Sequence, residues 1–238
     1  MSAELRIEQA DRLVCTLEPH RWRFAEERAA EIDARWNAAV AAKPKLFDGR
    51  VLLGHRWRFE IADGDREFRC AFFETRYRNF MAAEQMGFPD KSIFNVFAMA
   101  ALRASDGAFL LGEMGPHTAN AGQIYFPAGT PDLDDVVGDR VDLAGSVLRE
   151  LEEETGLTAA DVEVPGDCAI VFDGQKIACM QEVRAPRPAA EIKARIEAAL
   201  SAQANPELSR IHIVREADEI PPRVPPHTAA YLRFMLTR

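Results

Sequence analysis

No apolar run in the 238-residue chain approaches the length of a membrane span. Its charged start, Met1-Ser-Ala-Glu-Leu-Arg, lacks the pattern of a secretory leader. Together these absences predict a cytoplasmic protein with no membrane partner. The four cysteines, Cys15, Cys70, Cys168 and Cys179, show no Cys-x-x-Cys spacing. They read as reduced thiols rather than a disulfide or zinc framework. Positive charge is in short supply, with 29 Lys and Arg against 38 Asp and Glu, a net charge of −9. General nucleic-acid binding needs a basic surface, so no nucleic-acid partner is expected. A nucleotide-sized substrate stays open, because bound metal would offset local acid. There is no internal repeat and no low-complexity segment. What remains is an ordinary globular composition, 47% hydrophobic and 28% charged, long enough for one large or two small domains.

Arg149-Glu150-Leu151-Glu152-Glu153-Glu154-Thr155-Gly156-Leu157 carries the chemistry. Glu150, Glu153 and Glu154 stand at i, i+3 and i+4, which share one face of a helix. Like charges so close repel unless a cation sits among them. An acidic helix run is usually a solvated face, with Arg149 free to pair with Glu153 at i+4. Two details point elsewhere. Gly156 stands where a left-handed cap would stop the helix. Ala144, Val147, Leu148, Leu151 and Thr155 cluster on the other side at helical period. One face is thus expected on a core and the other toward a cleft, where carboxylates suit a hard divalent cation and phosphates.

Residues 149 to 157 resemble the Nudix hydrolase box, Arg-Glu-apolar-x-Glu-Glu-x-Gly-apolar, at every specified position. Upstream the spacing departs. Counting back to the box's opening glutamate and glycine lands on Val141 and Asp135. Taking Tyr125-Phe126-Pro127-Ala128-Gly129 as the entering strand and turn makes Gly129 the box glycine. The segment from Thr130 to Arg140 then holds about six extra residues. Asp142 stands at the helix entry, where a carboxylate suits both the N-cap and the macrodipole.

The remaining elements follow from periodicity. Residues 19 to 42 read as one long helix with Trp22, Ala29, Ile32, Trp36 and Val40 along its apolar stripe, ended by Lys43-Pro44. His55, Trp57, Phe59 and Ile61 alternate with Arg56, Arg58 and Glu60, and Asp63-Gly64 turns that strand into Phe68–Phe72. Arg56, Arg58, Arg66 and Arg69 form a basic face, read as solvated in preference to a phosphate or subunit contact. Tyr77–Met86 reads as a helix, broken by Gly87-Phe88-Pro89-Asp90. Strands are expected over 94–102, 108–112, 123–126, 168–172, 177–183 and 211–214, and helices over 189–202 and 227–236. Ser105-Asp106-Gly107 and Asp173-Gly174 supply turns.

The family resemblance implies an α/β fold, an α/β/α sandwich with a mixed sheet, over residues 91–238. A small N-terminal α+β region, residues 1–90, precedes it. Lys45-Leu46-Phe47-Asp48-Gly49, Thr75-Arg76-Tyr77-Arg78-Asn79-Phe80 and Phe126-Pro127-Ala128-Gly129-Thr130-Pro131-Asp132 also resemble animal Nudix proteins that hydrolyse UDP-glucose. That likeness implies an N-terminal segment framing the sugar side of a cleft. By the family pattern Glu150, Glu153 and Glu154 hold Mg²⁺, with Mn²⁺ as substitute, the carbonyl of Ala128 adds a ligand, and Arg149 orients a glutamate. The implied reaction is pyrophosphate-bond hydrolysis of a nucleoside diphosphate linked to another group, such as a UDP-sugar. ADP-ribose, a dinucleotide and a CoA ester are rival substrates, and a non-catalytic ligand sensor or partner-binding module is a rival from another class. One of the three glutamates takes the water proton, or a remote carboxylate does; Glu182, Glu216 and Glu219 are candidates. His117 and His212 are candidates for phosphate or base contact. A small-molecule nucleotide partner is expected, with homodimerisation open.

Overall fold

The computed structural model describes residues 5–44, 46–118 and 120–237. The parts of the sequence reading that fall on residues 1–4, Lys45, Ala119 and Arg238 lie outside them. Among the described residues no helix is long and apolar enough to cross a membrane.

The fold is α/β, built on two mixed sheets. The larger follows the order β1 (Arg6–Ala10), β10 (Cys168–Asp173), β11 (Lys176–Arg184), β5 (Asn95–Arg103), β6 (Phe109–Met114), β12 (Leu208–Val214), with β7 (Ile124–Tyr125) pairing β6. Among the described residues, only β11 and β5 run parallel in it. The smaller sheet runs β3 (Arg50–Ala62), β4 (Asp65–Arg76), β2 (Arg12–Leu17), β9 (Arg140–Val141), β8 (Val136–Val137). Here β2 and β4 are the parallel pair. Neither sheet is confined to one side of residue 90, since β1 edges the larger sheet and β8 and β9 complete the smaller.

The β3–β4 hairpin forms where the alternation places it. Asp63 and Gly64 both take positive φ, 52° and 92°, the conformation a two-residue hairpin turn needs. Trp57, Phe59 and Phe68 carry its inner face onto Phe172 of β10; the Trp57 and Phe172 ring centroids lie 4.7 Å apart. This aromatic seam and the four buried cysteines lie where the sheets meet. Ile61 departs from expectation: it sits at the hairpin tip and is 68% exposed, because the core ends before the turn. The basic face is occupied by its own carboxylates. Arg56 pairs with Glu18, Arg58 with Glu60, Arg66 with Glu8, and Arg69 with Glu60 and Glu67.

The expected long helix is two: α1 (Arg23–Glu27) and α2 (Ala29–Ala42), broken at Arg28, where φ and ψ of −109° and 16° are not helical. Trp22 and Phe24 are buried before the break and Ile32 after it, whereas Ala29 is exposed. The stripe therefore does not run continuously. Lys43 caps α2 with its N–H on the Ala39 carbonyl. Helix α3 (Tyr77–Gln85) packs on α2.

Three helices serve the larger sheet: α4 (Leu143–Thr155), α5 (Ala189–Ala202) and α6 (Pro226–Leu236). Successive side chains of a strand face opposite sides. Phe97 and Met99 of β5 meet His227 and Thr228 of α6. Val96 on the opposite face approaches the smaller sheet so closely that a Cβ on Gly54 would lie 2.7 Å from it. The larger sheet is therefore covered on both faces.

Candidate active site

Helix α4 starts and stops as its residues dictate. Asp142 Oδ1 accepts from the Gly145 N–H at 2.9 Å, satisfying one of the first turn's free donors. Gly156 takes φ 73°, the left-handed cap that glycine adopts at no steric cost. The buried stripe is Leu143, Val147, Leu151 and Thr155, each of the larger apolar ones worth about 1.5–3 kcal/mol of transfer energy. Ala144, expected on that stripe, is exposed; Leu143 takes the inward place one position earlier.

The three carboxylates do not share one environment. Glu154 turns inward and is 4% exposed. Its Oε1 accepts from the Ala128 N–H at 3.2 Å, and its Oε2 is buried with no hydrogen-bond partner among the described residues. Glu150 is half-buried, and its Oε1 lies 2.9 Å from Arg149 Nη1. Glu153 projects to solvent, its side chain 60% exposed, 3.6 Å from the same Nη1. Among the described residues no group of three His, Cys, Asp or Glu side chains is close enough to hold a metal ion. Ala128, expected to contribute its carbonyl, is tied to the site through its N–H.

The electrostatics follow from burial. Glu150 is pushed up to about 7, chiefly by burial, with the Arg149 charge pulling it down and Glu153, Asp135 and Glu207 pushing it up. Glu154 is raised well above the carboxylate range, again by burial first; the Ala128 N–H opposes this, while Glu150, Glu207 and Glu153 reinforce it. Burial works against the charge of Arg149, but the hydrogen bond to Asp135 and the surrounding carboxylates outweigh it and hold the guanidinium protonated.

Two residues belong to this site that sequence reasoning had not placed in it. Asp135 is buried, and its Oδ1 accepts from Arg149 Nη2 at 3.0 Å. It closes a short 3-10 turn, Leu133–Asp135, and its Oδ2 accepts from the Asp132 N–H. The Asp132-x-x-Asp135 spacing is a capping-box signal that could have located the turn, though not its arginine. Glu207 precedes β12, and its charge acts on both Glu150 and Glu154. Nothing local in sequence marks it.

The other candidates are engaged elsewhere. Glu182 pairs with Arg103 and Arg184. Glu216 and Glu219 cap the 3-10 turn at Ala217–Glu219. His212 Nε2 lies 2.8 Å from Glu113, which also holds Arg223. His117 is exposed.

The loop of residues 129–142 explains its extra length. Pro131 accepts from the Leu52 N–H, Asp132 bridges to Val51, and β8 and β9 form a hairpin that joins β2. The insertion thus fastens the site to the smaller sheet. At its start, Gly129 packs so closely on Glu150 that a Cβ there would stand 2.6 Å from the carboxyl carbon. Beyond Ala128 and Gly129 opens a cleft of about 530 Å³, walled by α2, α3, β5 and α6.

No family model matches the chain, and no curated protein matches it. Among solved structures it is similar to a Nudix hydrolase from M. smegmatis, RenU, at 17% identity and a TM-score of 0.38, covering 58% of this chain and 81% of that one. It is similar to the MutT protein of Methanosarcina mazei Go1 at 20% identity and a TM-score of 0.36, covering 61% and 91%. A C. elegans Ap4A hydrolase shares 16% identity at a TM-score of 0.40, covering 59% and 92%. Likenesses this distant leave the functional question to the side chains.

Proposed function

We propose that this chain is a Nudix-type pyrophosphohydrolase, dependent on Mg²⁺ or Mn²⁺, that cleaves a nucleoside diphosphate linked to another group. The observation that carries the reading is the bare Oε2 of Glu154, a buried carboxylate oxygen with no partner among the described residues, one helical turn from Glu150 and beside the turn at Ala128. A buried carboxyl oxygen left without a partner is costly, and a cation beside it would complete the missing contact and favour the ionised form that burial disfavours. The donor set is all oxygen, which suits a hard divalent ion. Glu154 and Glu150 would hold it, with Glu153 swinging in from solvent and the Ala128 carbonyl near at hand. Such an ion would offset phosphate charge and lower the pKa of an attacking water.

The chain's own groups do the rest. Arg149 stands between Asp135 and Glu150, so it fixes the Glu150 carboxylate by a charge-assisted contact. Glu154 is fixed by the Ala128 N–H. The proton of the attacking water would go to one of these glutamates or to a remote carboxylate, and Glu207, whose charge is felt by both Glu150 and Glu154, is one candidate. Products would be a nucleoside monophosphate and a phosphorylated group. The exposed stance of Glu153 favours one second reading, a ligand sensor without turnover.

A panel of UDP-glucose, ADP-ribose, a dinucleoside polyphosphate and CoA, each with Mg²⁺ or with EDTA, separates the two. Cation-dependent release of a monophosphate from at least one is expected, and no release from any would leave the sensor. Glu154→Gln and Glu153→Gln should each lower kcat roughly a hundredfold or more, as expected for lost electrostatic stabilisation. Glu154→Gln also removes a buried carboxylate, so its thermal midpoint should not fall. Retained turnover in the double variant would sink the assignment.

A further inference from the structure

Asn95 stands at the first position of β5 and is 7% exposed, yet its Oδ1 is buried without a hydrogen-bond partner among the described residues. Its backbone holds the turn: the N–H donates to the Gln175 carbonyl, and Gln175 in turn holds the carbonyls of Lys91 and Ile93 through its own amide. The Asn95 side chain is therefore not required for the turn it sits on. It lines the cleft, on the same strand face as Phe97 and Met99. A buried amide oxygen left bare in an otherwise satisfied place is costly to the fold. It reads as half of a hydrogen bond that a ligand completes.

The surroundings narrow what that ligand is. Phe97 and His227 meet edge to face with centroids 5.7 Å apart, giving a wall of aromatic surface beside the amide. His227 Nδ1 faces Asp173 Oδ2 at 3.4 Å, so that ring edge is engaged outside the cleft. Lys176, paired with Asn95 across the strands, is held by Glu84 at 2.8 Å. Lys43 donates to the Thr118 carbonyl. Among the described residues, both cations that line this cleft have partners, so this end offers little to a phosphate. A carboxamide presents an acceptor beside a donor, and the edge of a nucleobase presents the complementary pair, as in the pairing of Asn with adenine. Flat rings also stack favourably on aromatic side chains.

Distance supports the same assignment. Met99 borders the cleft near Ala128, and Asn95 lies four residues down the same strand, about 13 Å at the usual rise. The cleft therefore runs from the turn at Ala128 and Gly129, which adjoins Glu154 and Glu150, to the amide over a length that suits a nucleoside. Its volume of about 530 Å³ lies within the usual range for small-ligand sites.

We infer that Asn95 is the residue that reads the base: its amide pairs with the hydrogen-bonding edge of a nucleobase stacked against Phe97 and His227, with the phosphates directed to Ala128, Gly129 and the glutamates. This rests on the hydrolase reading for the direction of the phosphates, but not for the base contact. The test is calorimetric binding of UMP, CMP, AMP, GMP and ribose 5-phosphate to the full chain and to Asn95→Leu, with Asn95→Ala as a second variant should Leu perturb folding. At least one nucleoside monophosphate should bind the native chain ~10-fold or more tighter than ribose 5-phosphate. The variants should lose that advantage while binding ribose 5-phosphate as before. No preference over ribose 5-phosphate in the native chain, or a preference that survives both variants, overturns the inference. Base-selective binding without hydrolysis of any panel substrate would sustain Asn95 and sink the hydrolase. Hydrolysis with an Asn95-independent base preference would do the reverse.

Discussion

Helix α4 and the loop of residues 129–142 face each other across Arg149, and they are held in opposite ways. The helix carries its own instructions: an aspartate cap at one end, a left-handed glycine at the other, and an apolar stripe at helical period between. The loop has no such periodicity. It is held by what it touches, through Pro131 on β3, through β8 and β9 on β2, and through buried Asp135 on Arg149. One guanidinium therefore joins a locally encoded element to a tertiary one. Glu150 is aimed from the helix, but the arginine that aims it is itself anchored in the loop.

The sharpest way to break this pairing is at Gly129. A methyl group there would collide with the Glu150 carboxylate, the movable end of a flexible side chain. Gly129→Ala should therefore displace Glu150 from Arg149 at little cost to the fold. We expect kcat to fall roughly a hundredfold, the scale of a 1 Å misplacement in a catalytic group. Stability should change by less than ~1 kcal/mol in denaturant titration. A variant of normal activity would mean that Glu150 needs no fixed position. Asp135→Asn probes the other side of the arginine. It keeps the size of a buried side chain and removes the charge that Arg149 meets, so about 1–3 kcal/mol of stability should be lost. Arg149 would then lean toward Glu153, and kcat should fall about tenfold by the same positioning argument. If both stability and kcat are unchanged, the loop does not position the helix.

How much of this is legible in the sequence follows the same division. The hairpin at Asp63-Gly64, the α5 helix, the strands around Asp173-Gly174 and the caps of α4 are encoded within a few residues, and they stand where periodicity and turn chemistry put them. Missed were β1 and β2, although Leu13-Val14-Cys15-Thr16-Leu17 is rich in the residue types strands favour. Their partners, β10 and β4, lie far along the chain, and pairing of that kind leaves no local mark. The two-residue strands β8 and β9 are too short for any period to register. The break at Arg28 was hidden because Trp22 and Ile32 both fit a stripe that in fact turns a corner. At the site, the glutamates were marked by spacing, but their separate fates were not. Whether a helical carboxylate faces inward depends on what packs there, and Ala128 and Asp135 arrive from elsewhere in the chain.

The mildest test asks whether Asp142 belongs to the helix alone. It stands near the place of the box glutamate that this chain lacks, and it caps α4 through the Gly145 N–H. Its side chain is exposed, and the carboxylates paired with Arg149 among the described residues are Asp135, Glu150 and Glu153 instead. Removal in Asp142→Ala should cost about 1 kcal/mol, the usual loss for a good N-cap. That loss would appear as a lower denaturation midpoint with an unchanged slope. Turnover should stay within about twofold of the native rate, since a frayed first turn leaves the last two turns packed through Leu151 and Thr155. A collapse of kcat with only this small loss of stability would place Asp142 in the chemistry. The loop would then supply a reacting carboxylate as well as the anchor for Arg149.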